Sequence, residues 1–315
     1  MDRLDAMKVF VTALDEGSLA AAGRRLRHSP AAVTRAIAAL EAHIGTRLLH
    51  RTTRSIKLTD AGERYAETCR RVLAELDEAG LQAANERSAP RGLLTLTAPL
   101  AAGAQILRPV LDDFLETQPA VHARLLLFDR PVNLIDEGID LALRIAHLPD
   151  SSLIAVRVGE VRRVLCASPQ YLKSHGKISA PADLPEQRVI ALSDTVQSDV
   201  WSFPVSPGAK RSLKVKIQPR LIVNTMEGAI GSALDGYGIS RALSYQIHEH
   251  VRAGRLELLL ERYEPPPLPV HLIVPEGRLQ VAKIRAFVDF ALPRLKAAFA
   301  QRAALSRAKS GRTRS

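Results

Sequence analysis

The chain of 315 residues contains only two cysteines, Cys69 and Cys166, and no run of apolar residues long enough to cross a membrane. Two cysteines exclude a disulfide scaffold, and their separation excludes the CxxC spacing of zinc and redox sites. A membrane-spanning helix needs roughly 20 apolar residues in succession. The first residues, MDRLDAMKVF, include acids and lack the apolar core of a signal peptide. We therefore expect a reduced, cytoplasmic protein with no membrane partner.

Motifs of the common catalytic and cofactor sites are also missing. The chain has no P-loop, no GxSxG nucleophile elbow and no HExxH zinc motif. Gly236-Tyr237-Gly238 begins a GxGxxG motif but lacks its third glycine. His248 and His250 form the only close histidine pair, and residues two apart on a helix point to different faces. We predict no catalytic residue, no metal site and no cofactor, which leaves an enzyme acting on small carboxylates as the weakest hypothesis.

Positive charge is concentrated in two segments of a chain whose formal net charge is +11. Residues 17–59 and residues 294–315 each carry a net charge of +7, whereas the long stretch between them is close to neutral. Basic residues clustered near one terminus are typical of proteins that bind nucleic acids. Residues 301–315 are predicted to form a disordered basic tail, which is either simply solvated or adds nonspecific attraction to DNA.

Apolar spacing in the first 45 residues predicts three short helices. Their apolar faces are Leu4, Met7, Val11 and Leu14, then Leu19, Ala22 and Leu26, then Val33, Ile37, Leu40 and Ile44. Ser29 followed by Pro30 is a strong start signal for the third helix. The short connection between the second and third helices is typical of a helix-turn-helix, whose second helix enters the major groove of DNA. An ordinary helical hairpin with a solvated polar face would show the same pattern.

The outer face of the third helix and the basic segment after it are candidate DNA contacts. Thr34 and Arg35 can reach base edges or phosphates, and alanines such as Ala32 can meet thymine methyl groups. Residues 50–58 are predicted to form a two-stranded wing. Three basic residues of this wing would follow the phosphate backbone or the adjacent minor groove: Arg51, Arg54 and Lys57.

A long helix is predicted from about residue 60 to residue 87, capped by Thr59 or Asp60. Its apolar positions have the spacing of a two-stranded coiled coil: Tyr65, Cys69, Val72, Leu76, Ala79 and Ala83. The same spacing fits a single helix that lies on its own domain. Because two half-sites double the contacts with DNA, we predict a homodimer or a homotetramer.

Strand and helix patterns alternate after residues 88–92, a segment with proline and glycine that is predicted to be a hinge. The alternation predicts parallel sheets in two α/β subdomains with a cleft between them. Residues from about 93 to 165 and from 267 to 300 would form the first subdomain, and residues from about 166 to 266 the second. The predicted elements include single strands at Ala123–Phe128, Val161–Ala167 and Val215–Val223. They also include short helices at Val132–Glu137 and Met226–Leu234 and a final helix at Leu279–Ala300.

Residues 17–62 closely resemble the N-terminal signature of the LysR-type transcriptional regulators. The matching positions are Gly17-Ser18, Ala21-Ala22, Ser29, Leu40-Glu41, Gly45, Leu48-Leu49, Arg51 to Arg54 and Leu58 to Gly62. Residues 138–144, 166–172, 181–184 and 236–239 are similar to phrases of that family's effector domain. The resemblance covers residues 1 to about 300.

The resemblance implies an α/β protein with an all-α N-terminal part. Residues 1–59 would form a winged helix-turn-helix, residues 60–87 a dimerisation helix, and residues 93–300 an effector domain similar in fold to periplasmic binding proteins. It implies DNA contacts at these positions: Ser29, Pro30, Ala32, Thr34, Arg35, Arg51 and Arg54. Pro30 and Ala31 replace polar residues that are frequent in the family, which removes possible hydrogen bonds to bases.

Ligands of such α/β domains bind at the carboxyl ends of strands and at helix N-termini, where free backbone N–H groups favour anions. The predicted effector contacts are Pro99, Leu100, Ala101, Ala102, Thr195, Val196, Asn224 and Thr225. Arg144, at the end of a strand, would pair either with an effector carboxylate or, as a structural salt bridge, with Asp140 or Asp136. Arg241 is a weaker candidate of the same kind.

These features predict a transcriptional regulator that responds to a small molecule, most simply a small carboxylate or an aromatic compound. Its partners would be double-stranded promoter or operator DNA, the effector, a second copy of the chain and RNA polymerase. The alternative is a constitutive DNA-binding repressor whose C-terminal domain serves only to oligomerise. The apolar residues at Leu100, Ala101 and Ala102 keep this alternative open.

Overall fold

A computed structural model describes residues 2–51, 56–83, 89–148, 153–192, 200–205 and 211–307. The chain divides into two compact units, Met1–Ala89 and Pro90–Ser315. Each unit has its own hydrophobic core. Over the described ranges, no helix is both long enough and apolar enough to cross a membrane.

The N-terminal unit consists of a three-helix bundle, a two-stranded wing and a long helix. The elements are α1 (Arg3–Asp15), α2 (Leu19–Leu26), α3 (Pro30–Ile44), β1 (Leu49–Arg51), β2 (Ile56–Leu58) and α4 (Asp60–Ala83). Strands β1 and β2 pair antiparallel. The predicted apolar face of α3 is confirmed, because Val33, Ile37 and Leu40 are buried. In α1 the predicted stripe is only partly right: Met7 is buried together with Phe10, whereas Leu4, Val11 and Leu14 are partly buried at the edge of the same core.

Side-chain caps explain where α2 and α3 begin. The Ser18 Oγ accepts a hydrogen bond from the backbone N–H of Ala21 at 3.4 Å. The Ser29 Oγ accepts one from the N–H of Ala32 at 3.2 Å, and Pro30 is the first helical residue. Each cap satisfies one N–H group that the first helical turn leaves without a partner. The predicted start signals therefore act as expected.

The turn between α2 and α3 lies directly on α2. A Cβ atom at Gly23 would stand 2.8 Å from the carbonyl oxygen of His28. Arg27 adopts the left-handed conformation there, with φ of 56°. Because glycine has no Cβ, Gly23 permits this close approach of two backbone segments.

The first half of α4 packs on its own domain. Ala66 and Cys69 are buried in the same core as α1, and the rings of Phe10 and Tyr65 lie 6.2 Å apart. Leu76, two turns further along, is 45% exposed. The apolar stripe is thus divided: Tyr65 and Cys69 belong to the domain core, as expected for a helix that lies on its own domain, which was the alternative to a coiled-coil seam.

The second unit contains twelve described strands and six described α-helices. The strands are β3 (Gly92–Ala98), β4 (Val121–Leu127), β5 (Leu141–Ile145), β6 (Leu153–Val161), β7 (Arg163–Ala167), β8 (Val189–Leu192), β9 (Val200–Pro204), β10 (Ser212–Lys216), β11 (Pro219–Val223), β12 (Ile239–Leu243), β13 (Glu257–Leu259) and β14 (Leu268–Pro275). The helices are α5 (Leu100–Ala102), α6 (Arg108–Thr117), α7 (Pro169–His175), α8 (Met226–Leu234), α9 (Ser244–Arg252) and α10 (Ala282–Arg307).

Two five-stranded sheets form the two subdomains of this unit. The strand order is β4-β3-β5-β14-β6 in the first sheet and β11-β8-β12-β7-β13 in the second. Each sheet is mixed rather than parallel, because β14 runs antiparallel to its neighbours in the first sheet and β7 in the second. Strands β9 and β10 form a separate antiparallel hairpin. The chain crosses between the subdomains at Arg162 and again between β13 and β14.

Four predicted elements differ in the structure. The predicted strand Val161–Ala167 breaks at Arg162, because Val161 ends β6 in the first sheet and Arg163–Ala167 forms β7 in the second. Val215–Val223 divides because Pro219, which lacks an N–H donor, begins a new strand. Val132–Glu137 is a turn, since the Asn133 side chain accepts the N–H of Ile135 and so competes with a helix. The final helix begins at Ala282 rather than Leu279 and continues past Ala300.

The extension of α10 to Arg307 covers seven residues of the segment predicted as a disordered tail. Arg302 explains part of this order. Its guanidinium donates to the carbonyl of Ala298 one turn earlier, at 3.2 Å, and to the carbonyl of Gln105 at 3.3 Å. These bonds tie the last turns of the helix to the first subdomain. Residues 308–315 lie outside the described residues.

Candidate DNA interface and effector site

The outer face of α3 carries the predicted DNA contacts. Ser29, Pro30, Thr34 and Arg35 are exposed and Ala32 is half-buried. The Thr34 Oγ1 donates to the carbonyl oxygen of Pro30 at 3.0 Å. Because this bond uses the hydroxyl proton, Thr34 offers DNA its two lone pairs and its methyl group. That combination suits an amino group of adenine or cytosine, or a thymine methyl.

Glu41 joins the end of α3 to the wing. Its Oε1 accepts hydrogen bonds from the backbone N–H groups of Leu48, at 2.9 Å, and Leu49, at 3.2 Å. Both residues are buried at the entrance to β1. The role of Glu41 was not predicted from the sequence. A signal for it was present, because Glu41 is the only acidic residue among residues 17–59. The bonds hold α3 and the wing in a fixed position relative to each other.

The wing places its basic residues along a short hairpin. Lys57 is exposed and stands opposite His50 in the pairing of β1 with β2. Arg51 is the last residue of β1, but its side chain lies outside the described residues, as does the whole of Arg54. Among the three predicted wing contacts, the structure therefore describes the side chain of Lys57.

The wing ends on the N-terminus of α4. Thr59 caps this helix, since its Oγ1 accepts the N–H of Gly62 at 2.9 Å. The same hydroxyl donates to the carbonyl of Arg47 at 2.8 Å. A Cβ atom on Gly62 would stand 2.0 Å from the carbonyl oxygen of Leu48. Close contact between the helix start and the loop before β1 thus requires glycine.

The predicted anion site after β3 already contains a carboxylate of the protein itself. The Asp129 Oδ1 accepts the backbone N–H of Leu100 at 3.0 Å. Leu100 is 49% exposed, whereas Ala102 is completely buried and cannot offer its side chain to a ligand. Asp129 directly follows the predicted strand that ends at Phe128, and its position at a strand end was the signal that the sequence reasoning missed.

Arg144 is held by a backbone carbonyl. Its Nη2 donates to the oxygen of Val132 at 2.9 Å. Burial lowers the pKa of Arg144, and the carboxylate of Glu137 acts in the opposite direction. Asp140, one of the expected salt-bridge partners, instead binds Arg278 at 2.6 Å.

The predicted contacts in the second subdomain lie at the end of β11. Thr225 caps α8, since its Oγ1 accepts the N–H of Gly228 at 3.2 Å. Asn224 is exposed. Thr195 and Val196 lie outside the described residues.

Reactive or metal-binding clusters are absent from the part of the chain that the structure describes. No group of three or more histidine, cysteine or acidic residues there could hold a metal ion. Both cysteines are buried thiols. Burial raises the pKa of Cys166 to about 12 and also raises the pKa of Cys69. A thiol that stays protonated is a poor nucleophile, so both act as packing residues.

Fold and site together define a winged helix-turn-helix DNA-binding protein that carries a two-subdomain α/β domain. Residues 4–63 match the family model described as "Bacterial regulatory helix-turn-helix protein, lysR family". Residues 87–296 match the model described as "LysR substrate binding domain". The chain belongs to the LysR family of transcriptional regulators, whose members combine DNA binding with modulation by an effector.

Relatives of known sequence and structure align along nearly the whole chain. An HTH-type transcriptional regulator of Xanthomonas campestris is 33% identical over 91% of this chain and 84% of its own length. An HTH-type transcriptional repressor of Pseudomonas aeruginosa is 32% identical over 93% of this chain and 92% of its own length. The LysR-type regulator CrgA of Neisseria meningitidis matches with a TM-score of 0.59 and 26% identity, covering 92% of this chain and 98% of CrgA.

Proposed function

We propose that the outer face of α3 reads the bases of an operator while the wing holds its phosphate backbone. The proposed contacts are Ser29, Pro30, Ala32, Thr34, Arg35, Arg51, Arg54 and Lys57. The observation that carries this proposal is the pair of hydrogen bonds from Leu48 and Leu49 to Glu41. They allow one rigid unit to present both the helix and the wing to one stretch of duplex.

The proposed division of labour follows the chain. Residues 1–59 bind DNA, residues 60–87 provide the dimer contact, and residues 93–300 sense the effector after a hinge at 88–92. The exposure of Leu76 supports a contact with a second chain along the later part of α4. RNA polymerase is the proposed target of regulation, and genomic DNA as partner implies action in the cytoplasm. We assign no catalytic step to any residue.

The proposed effector is a small carboxylate or aromatic compound bound between the subdomains. Its proposed contacts are Pro99, Leu100, Ala101, Ala102, Arg144, Thr195, Val196, Asn224 and Thr225. The bond of Asp129 to Leu100 limits this proposal, because an incoming carboxylate must displace Asp129 to reach that N–H group. The same bond favours a second candidate function, a constitutive regulator whose α/β domain serves only to oligomerise.

Selection of bound sequences from random duplex DNA tests the DNA-binding proposal. Thr34→Ala should relax the selected sequence at one position, because it removes the hydroxyl and shortens the contact to bases. Lys57→Ala should weaken binding to all sequences by a similar factor and lower the dependence on salt by about one unit of slope. Lys177→Ala, an exposed lysine in the second unit, is the matched control. Equal losses on every sequence for both Thr34→Ala and Lys57→Ala would contradict the assignment.

Thermal unfolding with a panel of carboxylates and aromatic compounds separates the two candidate functions. Only a sensor gains stability from a ligand, because the ligand binds the folded state alone. A shift that saturates with one compound supports the sensor, and no shift with any compound supports the constitutive regulator.

A further inference from the structure

The second subdomain contains a basic segment that the near-neutral charge of the middle of the chain conceals. Between Asp199 and Glu227 the chain has no acidic residue and five basic ones: Lys210, Arg211, Lys214, Lys216 and Arg220. Lys210 lies outside the described residues, and the other four are exposed. Two of them lie in the hairpin of β9 and β10, which belongs to neither five-stranded sheet.

This hairpin has one buried face and one exposed face. The buried face packs into the core of the second subdomain through three residues: Trp201, Phe203 and Val215. The outer face, which we call the lysine face, consists of four exposed residues: Val200, Ser202, Lys214 and Lys216. Lys214 stands opposite Ser202 in the antiparallel pairing, and Lys216 stands opposite Val200. Because the apolar face is anchored in the core, the lysine face is held toward solvent.

The two lysines have no counter-charge among the described residues. Neither Lys214 nor Lys216 forms an ion pair there. The 3-10 helix Pro181–Glu186, which packs against β10, carries two acids. The Asp183 Oδ2 accepts two backbone N–H groups of the preceding turn, at 2.8 Å and 3.0 Å, and these bonds lower the pKa of Asp183. Glu186 is exposed and pairs with neither lysine.

The composition of the lysine face favours DNA over protein as its partner. Protein–protein interfaces are enriched in aromatic residues and depleted in lysine and serine, whereas this face carries two lysines, a serine and no aromatic residue. Lysine and serine are frequent contacts of DNA phosphates. Two residues apart on one strand, Lys214 and Lys216 are separated by about 7 Å. A DNA strand presents a phosphate at about every 3.4 Å of its axis, so both lysines can reach phosphates of the same strand.

We propose that the lysine face is a second DNA-binding surface, which holds the phosphate backbone of duplex DNA without reading its sequence. The chain belongs to a family of DNA-binding regulators, so duplex DNA is its working partner. Lysine binds a phosphate as a point charge, and the contact is therefore independent of base sequence. This inference goes beyond the proposed function, which places every DNA contact within residues 1–59.

The salt dependence of DNA binding by the full chain tests the proposal. Anisotropy of a long labelled duplex of mixed sequence gives the affinity at a series of salt concentrations. The double variant Lys214→Gln with Lys216→Gln should bind about tenfold more weakly at low salt, and its slope of log affinity against log salt should fall by about 0.9 for each lysine. The matched control, Arg285→Gln with Lys296→Gln, removes the same charge from exposed positions of α10 and should keep the wild-type slope. Equal slopes for the two double variants would overturn the proposal.

Photocrosslinking supplies a readout that the loss of a distant charge would not move. Both native cysteines are buried, so a photoreactive maleimide labels a cysteine introduced on the surface. Ser202→Cys places the label on the lysine face, and Ala297→Cys places it on an exposed position of α10. The label at position 202 should crosslink to the duplex, whereas the label at position 297 should not. Equal crosslinking from both positions, or none from position 202, would contradict a DNA contact at this face.

An acidic protein surface is the rival partner, and RNA polymerase is the protein to test. If the double lysine variant kept the wild-type salt slope on DNA but lost binding to purified RNA polymerase, the lysine face would bind protein and the proposal would be overturned. Sequence reading by α3, which Thr34→Ala tests separately, is unaffected by either result. Failure of the lysine face to bind DNA is therefore distinguishable from failure of the proposed operator contact.

Discussion

Replacement of Gly62 by alanine is the sharpest test of how the wing is held. Gly62 lies in the first turn of α4, where an added Cβ would stand 2.0 Å from the carbonyl oxygen of Leu48 and 2.9 Å from its carbon. These are backbone atoms, so no flexible side chain can move aside. The helix start and the loop before β1 must separate by about 1.4 Å to reach the 3.4 Å at which ordinary contact begins.

The cost follows from the bonds that this separation breaks. Overpacking alone costs about 1–3 kcal/mol. The Leu48 carbonyl also accepts the N–H of Thr59 at 3.0 Å, and the Thr59 hydroxyl binds the Arg47 carbonyl at 2.8 Å. Each lost bond adds about 1 kcal/mol. The total of about 3–5 kcal/mol is a large part of the roughly 5–10 kcal/mol expected for a unit of this size.

Urea unfolding followed by circular dichroism, together with anisotropy of a labelled duplex at low salt, measures both effects. We expect Gly62→Ala to lower the stability of the first unit, to weaken DNA binding, and to leave the unfolding of the second unit unchanged. Gly80→Ala in the same helix is the matched control, because a Cβ at Gly80 meets nothing within 4 Å. That change should stabilise the helix by about 0.5–1 kcal/mol. If the first unit of the Gly62→Ala variant had the same free energy of unfolding as that of the Gly80→Ala variant, this reasoning would be refuted.

Three further changes test other parts of the chain. Glu41→Ala should cost the first unit about 3 kcal/mol in urea unfolding, because two N–H groups lose a charged acceptor, whereas Glu41→Gln, which keeps an oxygen, should cost less; equal costs would contradict this account. Asp129→Ala should cost the second unit about 1 kcal/mol and tighten carboxylate binding between the subdomains, and unchanged affinity would make Asp129 purely structural. Burial raises the pKa of Glu264 to about 7 from 4.5, so its contribution to stability is complete below about pH 4.5 and is lost as the pH rises through 7. The wild type should therefore lose stability relative to Glu264→Gln between pH 5 and pH 8, and a constant difference in unfolding temperature across that range would contradict the assignment.

The N-terminal unit was predictable because its signals are local. Ser29 and Pro30 start α3 within two residues, and Val33, Ile37 and Leu40 share a helical face through spacing alone. The divided role of α4 was not predictable, because the burial of Cys69 depends on contact with α1, more than fifty residues earlier in the chain. Spacing indicates which residues share a face, but it does not indicate what covers that face.

The effector half shows the same limit more strongly. Helix α8 was predicted with its observed bounds, since Thr225 caps it and apolar spacing continues to Leu234. The break at Arg162 escaped prediction, because Val161 was assigned to the strand Val161–Ala167 although it ends β6, which belongs to a different sheet from β7. The bond between Asp129 and Leu100 joins residues 29 positions apart, and no periodic pattern reports such a contact.

The pair formed by Arg162 and Glu264 connects the two places where the chain passes between the subdomains. Arg162 separates β6 from β7, and Glu264 lies between β13 and β14, with 2.8 Å between their charged groups. This ion pair thus links the connection between β6 and β7 to the connection between β13 and β14, and the two connections form one joint. Sliding of one subdomain along the other would break this ion pair, whereas a swing about the joint would keep it.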